Sequence, residues 1–173
     1  MLLVVMGVSG SGKSTLAALL AQQLNWPMAE ADAYHSEANK AKMAAGIPLN
    51  DEDRRPWLDT LHSLLAAWQA EGSSGVMTCS ALKETYRARL CEGLTDIKFV
   101  WLDPPREAIA GRLAHRTGHY MNPALLDSQI ATLEPPSGPG VLHLSGVHTP
   151  AEQAEAVRAW ILSPALPQPH PVN

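Results

Sequence analysis

Gly7-Val8-Ser9-Gly10-Ser11-Gly12-Lys13-Ser14-Thr15, GVSGSGKST, follows the apolar run Leu2 to Met6 and precedes a helical repeat of Leu16, Leu19, Leu20 and Leu24. A short run without a polar member suits a strand buried on both faces of a parallel sheet. The leucine spacing suits an amphipathic helix, which Pro27 ends. The loop between them has the spacing G-x-x-x-x-G-K-[ST] in the strand, loop, helix context that gives this motif its meaning. Its glycines permit backbone dihedrals that turn successive N–H groups inward, and the helix start adds a positive dipole end. Lys13 can reach the outer phosphates and Ser14 can ligate magnesium, so residues 7–15 read as a cage for a nucleoside triphosphate.

Beyond the loop, Met28 to Ala31 is expected as a short second strand. Ser36 is placed to cap a helix that carries Ala38, Met43 and Ala44 and ends at Gly46. Asn50 or Asp51 caps a longer helix, with Asp51, Glu52 and Asp53 at its positive end and Trp57, Leu58, Leu61, Leu65 and Trp68 as its buried stripe. Val76 to Cys79 and Ile97 to Leu102 read as buried strands, separated by a helix through Tyr86 and Leu90. A helix with Ile109 and Leu113 follows Pro104-Pro105. The pattern then breaks over residues 115–122, which reads as a mobile loop within a lid of about residues 112–124. Leu125 to Leu133 resumes a helix, Val141 to Leu144 is a last strand, and Thr149-Pro150 opens a helix through Val157, Trp160 and Ile161. Such alternation predicts an α/β fold with right-handed crossovers and a parallel sheet of about five strands, covered by helices on both faces. A single domain is expected over residues 1–163, with the proline-rich residues 164–173 as a disordered tail.

Composition narrows the partners. With 173 residues, 46% hydrophobic and 17% charged, the chain is suited to one packed core. The formal net charge of −4 offers no global attraction for nucleic acid or anionic lipid, so a bound anion must be held by a local cluster. No apolar run approaches the roughly 18 residues of a membrane span, and no secretory pattern is visible, which predicts a cytoplasmic protein. Cys79 and Cys91 belong to no metal-ligand spacing and read as two buried free thiols.

A triphosphate cage leaves the reaction open. Asn39-Lys40-Ala41-Lys42 lacks the aspartate of a guanine-reading motif, and no D-x-x-G switch occurs in the chain, so a small-molecule kinase is favoured over a nucleotide switch. On the acceptor side, Glu30-Ala31-Asp32 lies at the carboxyl end of the second strand, the edge where open α/β sheets bind ligands. One carboxylate there can orient an acceptor hydroxyl and take its proton, and another can help to hold Mg²⁺. Arg54, Lys83 and Arg87 follow elements whose ends should converge, and such a cluster in an acidic protein suggests an anionic acceptor. A kinase for another hydroxy acid, such as shikimate, fits the same frame.

The residues MGVSGSGKS (6–14), DAYH (32–35), KMAAGIPLNDEDRRPWL (42–58), CSALKETYR (79–87) and RTGHYMNPALLDSQIATLEPP (116–136) together resemble the small bacterial-type gluconokinases. That resemblance implies a P-loop kinase fold and transfer of the ATP γ-phosphate to the terminal hydroxyl of D-gluconate, with Mg²⁺. It puts ATP on Gly7, Val8, Ser9, Gly10, Ser11, Gly12, Lys13, Ser14 and Thr15, with magnesium on Ser14 and Glu30. It places Asp32 at the acceptor hydroxyl and implies His35, Arg54, Lys83, Arg87 and His119 as gluconate contacts. Arg112 and Arg116 are implied to approach the phosphates from the lid, Arg116 catalytically together with Lys13 and Asp32. ATP and gluconate are the expected partners, without nucleic acid or membrane, and homodimerisation is left open. The family usually has Asp-Gly-Asp where this chain has Glu30-Ala31-Asp32, and often an acidic strand end where this chain reads His143-Leu144-Ser145-Gly146.

Overall fold

The computed structural model describes residues 1–114 and 123–163. The expected mobile loop, with Arg116 and His119, and the expected tail lie outside the described residues. Five strands form one parallel sheet: β1 (Leu2–Met6), β2 (Met28–Glu30), β3 (Gly75–Cys79), β4 (Ile97–Asp103) and β5 (Val141–Ser145), in the order β2-β3-β1-β4-β5. Seven helices are described: α1 (Lys13–Leu24), α2 (Glu37–Ala44), α3 (Asp51–Ala70), α4 (Glu84–Cys91), α5 (Arg106–Ala114), α6 (Pro123–Thr132) and α7 (Pro150–Leu162). None of the described helices is long and apolar enough to cross a membrane.

The central strand explains why the first apolar run is uninterrupted. β1 pairs with β3 on one side and β4 on the other, and all five of its side chains are buried. Leu2, Val4 and Met6 pack with Trp57, Leu58, Leu61 and Leu65 of α3, while Leu3 and Val5 pack with Leu16, Ala17 and Leu20 of α1 and with Ala154 and Val157 of α7. Helix starts follow the capping chemistry of the chain: Asn50 with Asp53 and Thr149 with Glu152 each close a capping box, and Ser36 Oγ accepts from Asn39 N–H.

Four expectations change. β2 stops at Glu30, and Ala31–Tyr34 forms a 3-10 turn, because the Ala31 carbonyl is taken by Trp57 Nε1 at 2.8 Å. α2 buries Asn39 and leaves Ala38 and Ala44 exposed, since the Asn39 amide donates to the Asp53 carbonyl at 2.8 Å and draws that face inward. α6 starts two residues early, at Pro123, whose fixed φ suits a first helical position. Cys79 is buried, with burial pushing its thiol up to about 12, but Cys91 is only half-buried.

Candidate active site

The carboxyl ends of β1, β2 and β3 open onto one cleft of about 1640 Å³, lined on one side by Gly10, Lys13 and Ser14 and on the other by Asp32, Arg54 and Lys83. The loop at its floor is shaped by its glycines. Gly7, Gly10 and Gly12 have φ of 140°, 78° and 107°. A Cβ on Gly7 would also lie 2.5 Å from the Leu102 carbonyl oxygen, so backbone conformation and close approach both require glycine there. α3 and α7 carry side-chain caps and acids in their first turns, whereas α1 has neither. Its first N–H groups and dipole therefore face the cleft with no capping side chain and no acid from the helix's own first turn, which suits phosphate.

The nucleotide residues divide by direction. Ser9, Gly10, Gly12, Lys13, Ser14 and Thr15 line the cleft. The side chains of Val8 and Ser11 are buried instead, Val8 against Leu82, Ile109 and Leu126, so these two can serve a ligand only through their backbone. Lys13 Nζ donates to the Val8 carbonyl at 3.0 Å, and Arg112 Nη1 reaches over the loop to the Ser11 carbonyl at 3.0 Å. The latter contact brings Arg112 from α5 to the glycine loop.

Beside Ser14 stands Glu30. Its Oε2 accepts from Ser14 Oγ at 3.1 Å and from Thr78 Oγ1 at 2.5 Å. A hydroxyl and a carboxylate in contact at the loop are hard oxygen donors of the kind a divalent cation takes together with phosphate. Glutamate thus puts a carboxylate beside the loop hydroxyl where the family usually has aspartate. Ala31 is fully buried, so the methyl that replaces the usual glycine packs into the core.

Asp32 is exposed in the 3-10 turn and lines the cleft. Its backbone is fixed by the Trp57 bond to Ala31, and Trp57 also stacks on His35 with ring centroids 4.2 Å apart. His35 is buried with its Nδ1 unpaired among the described residues. Burial lowers its pKa below the ordinary 6.5, with Arg54 and Lys40 pushing the same way against Asp32. A histidine that is harder to protonate when folded contributes stability in full above pH 6.5, and loses it as pH falls from there through the lower folded value. Urea unfolding at a series of pH values should therefore show the stability difference between wild type and His35→Phe shrinking as pH drops below about 6.5; a constant difference would contradict a neutral buried ring.

The cationic side of the cleft is a network rather than loose charge. Lys83 Nζ lies 2.7 and 3.0 Å from the Asp51 carboxylate oxygens, and Tyr86 donates its hydroxyl to the same carboxylate. The hydrogen bonds from Lys83 and then Tyr86 hold the Asp51 carboxyl below the usual range, and Asp51 raises Lys83 in return. Arg54 sits 5.6 Å over the Tyr86 ring, with its Nε buried and unpaired among the described residues. Arg87 is turned away from the cleft: it is buried, and its Nη1 donates to the carbonyls of Ala81 at 2.8 Å and Leu82 at 3.2 Å. Ala81 has a φ of 43°, rare for a residue with a Cβ, so Arg87 braces a strained turn that presents Lys83.

Sequence spacing alone does not mark Asp51, Tyr86 or Trp57 as site residues. Asp51 reads as one of three acids at a helix start and Trp57 as core, although the block PLND-x-DR-x-PWL that contains them is a usable signal.

A G-x-x-x-x-G-K-S loop between β1 and α1, opening onto a cleft at the carboxyl edge of a five-stranded parallel sheet, defines a P-loop kinase. A family model described as an AAA domain matches residues 2–136. A protein of Mus musculus named "Probable gluconokinase" is 49% identical over 154 residues, covering 79% of this chain and 84% of its own. The gluconokinase of Gluconobacter oxydans strain 621H is 47% identical over 149 residues, covering 86% and 84%. The crystal structure of a gluconokinase from Sinorhizobium meliloti 1021 aligns with a TM-score of 0.83 at 40% identity, covering 92% of this chain and 90% of that one. The chain belongs to the gluconokinase family.

Proposed function

We propose that the protein transfers the γ-phosphoryl group of ATP to the terminal hydroxyl of D-gluconate, giving 6-phospho-D-gluconate and ADP. The observation that carries this reading is the single cleft in which Lys13 and Ser14 of the phosphate loop face Asp32, Arg54 and Lys83. Backbone N–H groups of residues 7–15 hold the phosphates, and the Lys13 ammonium neutralises charge on the transferring group. Asp32 orients the acceptor hydroxyl and takes its proton while the new O–P bond forms and the bond from the γ-phosphorus to the bridging oxygen breaks. Ser14 and Glu30 would hold Mg²⁺, which would neutralise phosphate charge there. Arg112 adds positive charge at the loop; Arg116 is expected to do the same from the lid, with His119 reaching gluconate. Use of ATP and two free cysteines fit the cytoplasm.

Arg54 and Lys83 receive the gluconate carboxylate in this reading, and His35 borders it. A charge-assisted hydrogen bond contributes ~1.5 to 3 kcal/mol, roughly tenfold to more than a hundredfold in affinity. Arg54→Met should raise KM for gluconate by about that factor and leave KM for ATP within a few-fold. Lys83→Met should cost less, because Asp51 already neutralises part of its charge. The two effects should not add, since both cations meet one anion. Steady-state kinetics of both variants and the double variant test the reading, and wild-type constants in all three would place the acceptor elsewhere.

A further inference from the structure

Helix α6 and the segment after it touch both halves of the cleft. α6 packs through Leu126 into a small apolar cluster with Val8 of the phosphate loop, Leu82 of the acceptor turn and Ile109 of α5. Two sets of polar contacts leave this cluster in opposite directions. On the nucleotide side, Gln129 Oε1 accepts from Ser9 N–H at 2.8 Å. On the acceptor side, Glu134 N–H donates to the Leu82 carbonyl at 2.8 Å, and the Glu134 carboxylate accepts from Glu84 N–H at 2.6 Å. Glu84 is the first residue of α4, whose N-cap Lys83 makes no side-chain cap. Glu134 therefore caps α4 from 50 residues away and pins the backbone on both sides of Lys83.

Ser9 and Gln129 both line the cleft. An amide nitrogen carries one hydrogen, so a phosphate oxygen in the loop and Gln129 Oε1 compete for the Ser9 donor. We propose that α6 couples the two substrate sites: nucleotide phosphate takes the Ser9 N–H from Gln129, α6 loses that tether, and Glu134 passes the change to the backbone around Lys83. This rests on the nucleotide reading of the phosphate loop. It supplies a contact with two arrangements, biased by one ligand and felt by the other, which is the physical requirement for coupling. Gln129 and Glu134 are positioning residues in this scheme.

Titration calorimetry on the full chain tests it, with gluconate as titrant in the presence and absence of AMP-PNP. Wild type should bind gluconate with different affinities in the two conditions. Gln129→Leu keeps the bulk and removes the acceptor; without AMP-PNP it should already show the gluconate affinity that wild type reaches only with it. The same variant should bind AMP-PNP about two- to tenfold tighter, because no internal acceptor competes. Glu134→Ala should bind AMP-PNP like wild type while its gluconate affinity ignores the nucleotide, and Glu134→Gln, which keeps an oxygen for Glu84 N–H, should recover part of the response. A wild-type-sized response in Gln129→Leu or Glu134→Ala, or no response in wild type, overturns the coupling. Failure of wild type to bind AMP-PNP at all would overturn the phosphate-loop reading as well, so the two failures are distinguishable.

Discussion

Replacing Lys13 by alanine is expected to lower turnover at least about 100-fold while the protein stays folded. The residue opens α1 at the floor of the cleft, and its ammonium lies 3.0 Å from the Val8 carbonyl oxygen, inside the loop that would wrap the phosphates. A positive charge placed there before the reaction needs no reorganisation as negative charge spreads over the transferring group. Losing a factor of 100 corresponds to about 2.7 kcal/mol of transition-state stabilisation, within the range of a single preorganised contact. Lys13 is only partly buried and belongs to none of the three apolar clusters, so the melting temperature should move little. Steady-state turnover beside a thermal melt checks both halves; near-normal turnover in a folded variant would remove the phosphate loop from the mechanism.

Asp32→Asn should lower kcat by roughly 10² to 10⁴ while KM for ATP stays within a few-fold, because an amide is nearly the same shape yet cannot accept the hydroxyl proton. The surrounding geometry makes this substitution a clean probe. The Asp32 turn is anchored by the Trp57 bond to the Ala31 carbonyl, and among the described residues the carboxylate makes no hydrogen bond, so the backbone should keep its place. If ATP affinity fell in step with turnover, Asp32 would instead be serving the metal and its phosphates.

Most of the frame was legible because its signals are local. Leu2 to Met6 has no polar member since β1 is buried on both faces, and the glycines of residues 7–12 stand where the backbone takes positive φ. Asn50 and Thr149 announce their helices three residues ahead of the acids that complete the capping boxes. Periodicity misled at α2, where the buried residue is Asn39, held by a backbone carbonyl of α3 that no pattern within α2 encodes.

The site was harder to read where partners are distant in the chain. Lys83 and Arg87 both follow β3 and look alike as basic residues, but Asp51 holds the first at the cleft from 32 positions away and the strained turn at Ala81 turns the second inward. Gln129 meets Ser9 across 120 positions, and nothing adjacent to either residue signals the contact. Sequence spacing could therefore point to a phosphate loop and a cationic cluster, while the wiring between them required the fold.

In the proposed reaction one cleft joins ATP to gluconate. A coupled assay of ADP release with purified protein, ATP and Mg²⁺, run with gluconate and with a panel of other sugar acids and their neutral analogues, tests it most directly. ADP release should depend on the added acceptor, run fastest with gluconate, and yield a product phosphorylated at the terminal hydroxyl. ADP release that ignores gluconate, or that runs faster with shikimate or a neutral sugar, would contradict it.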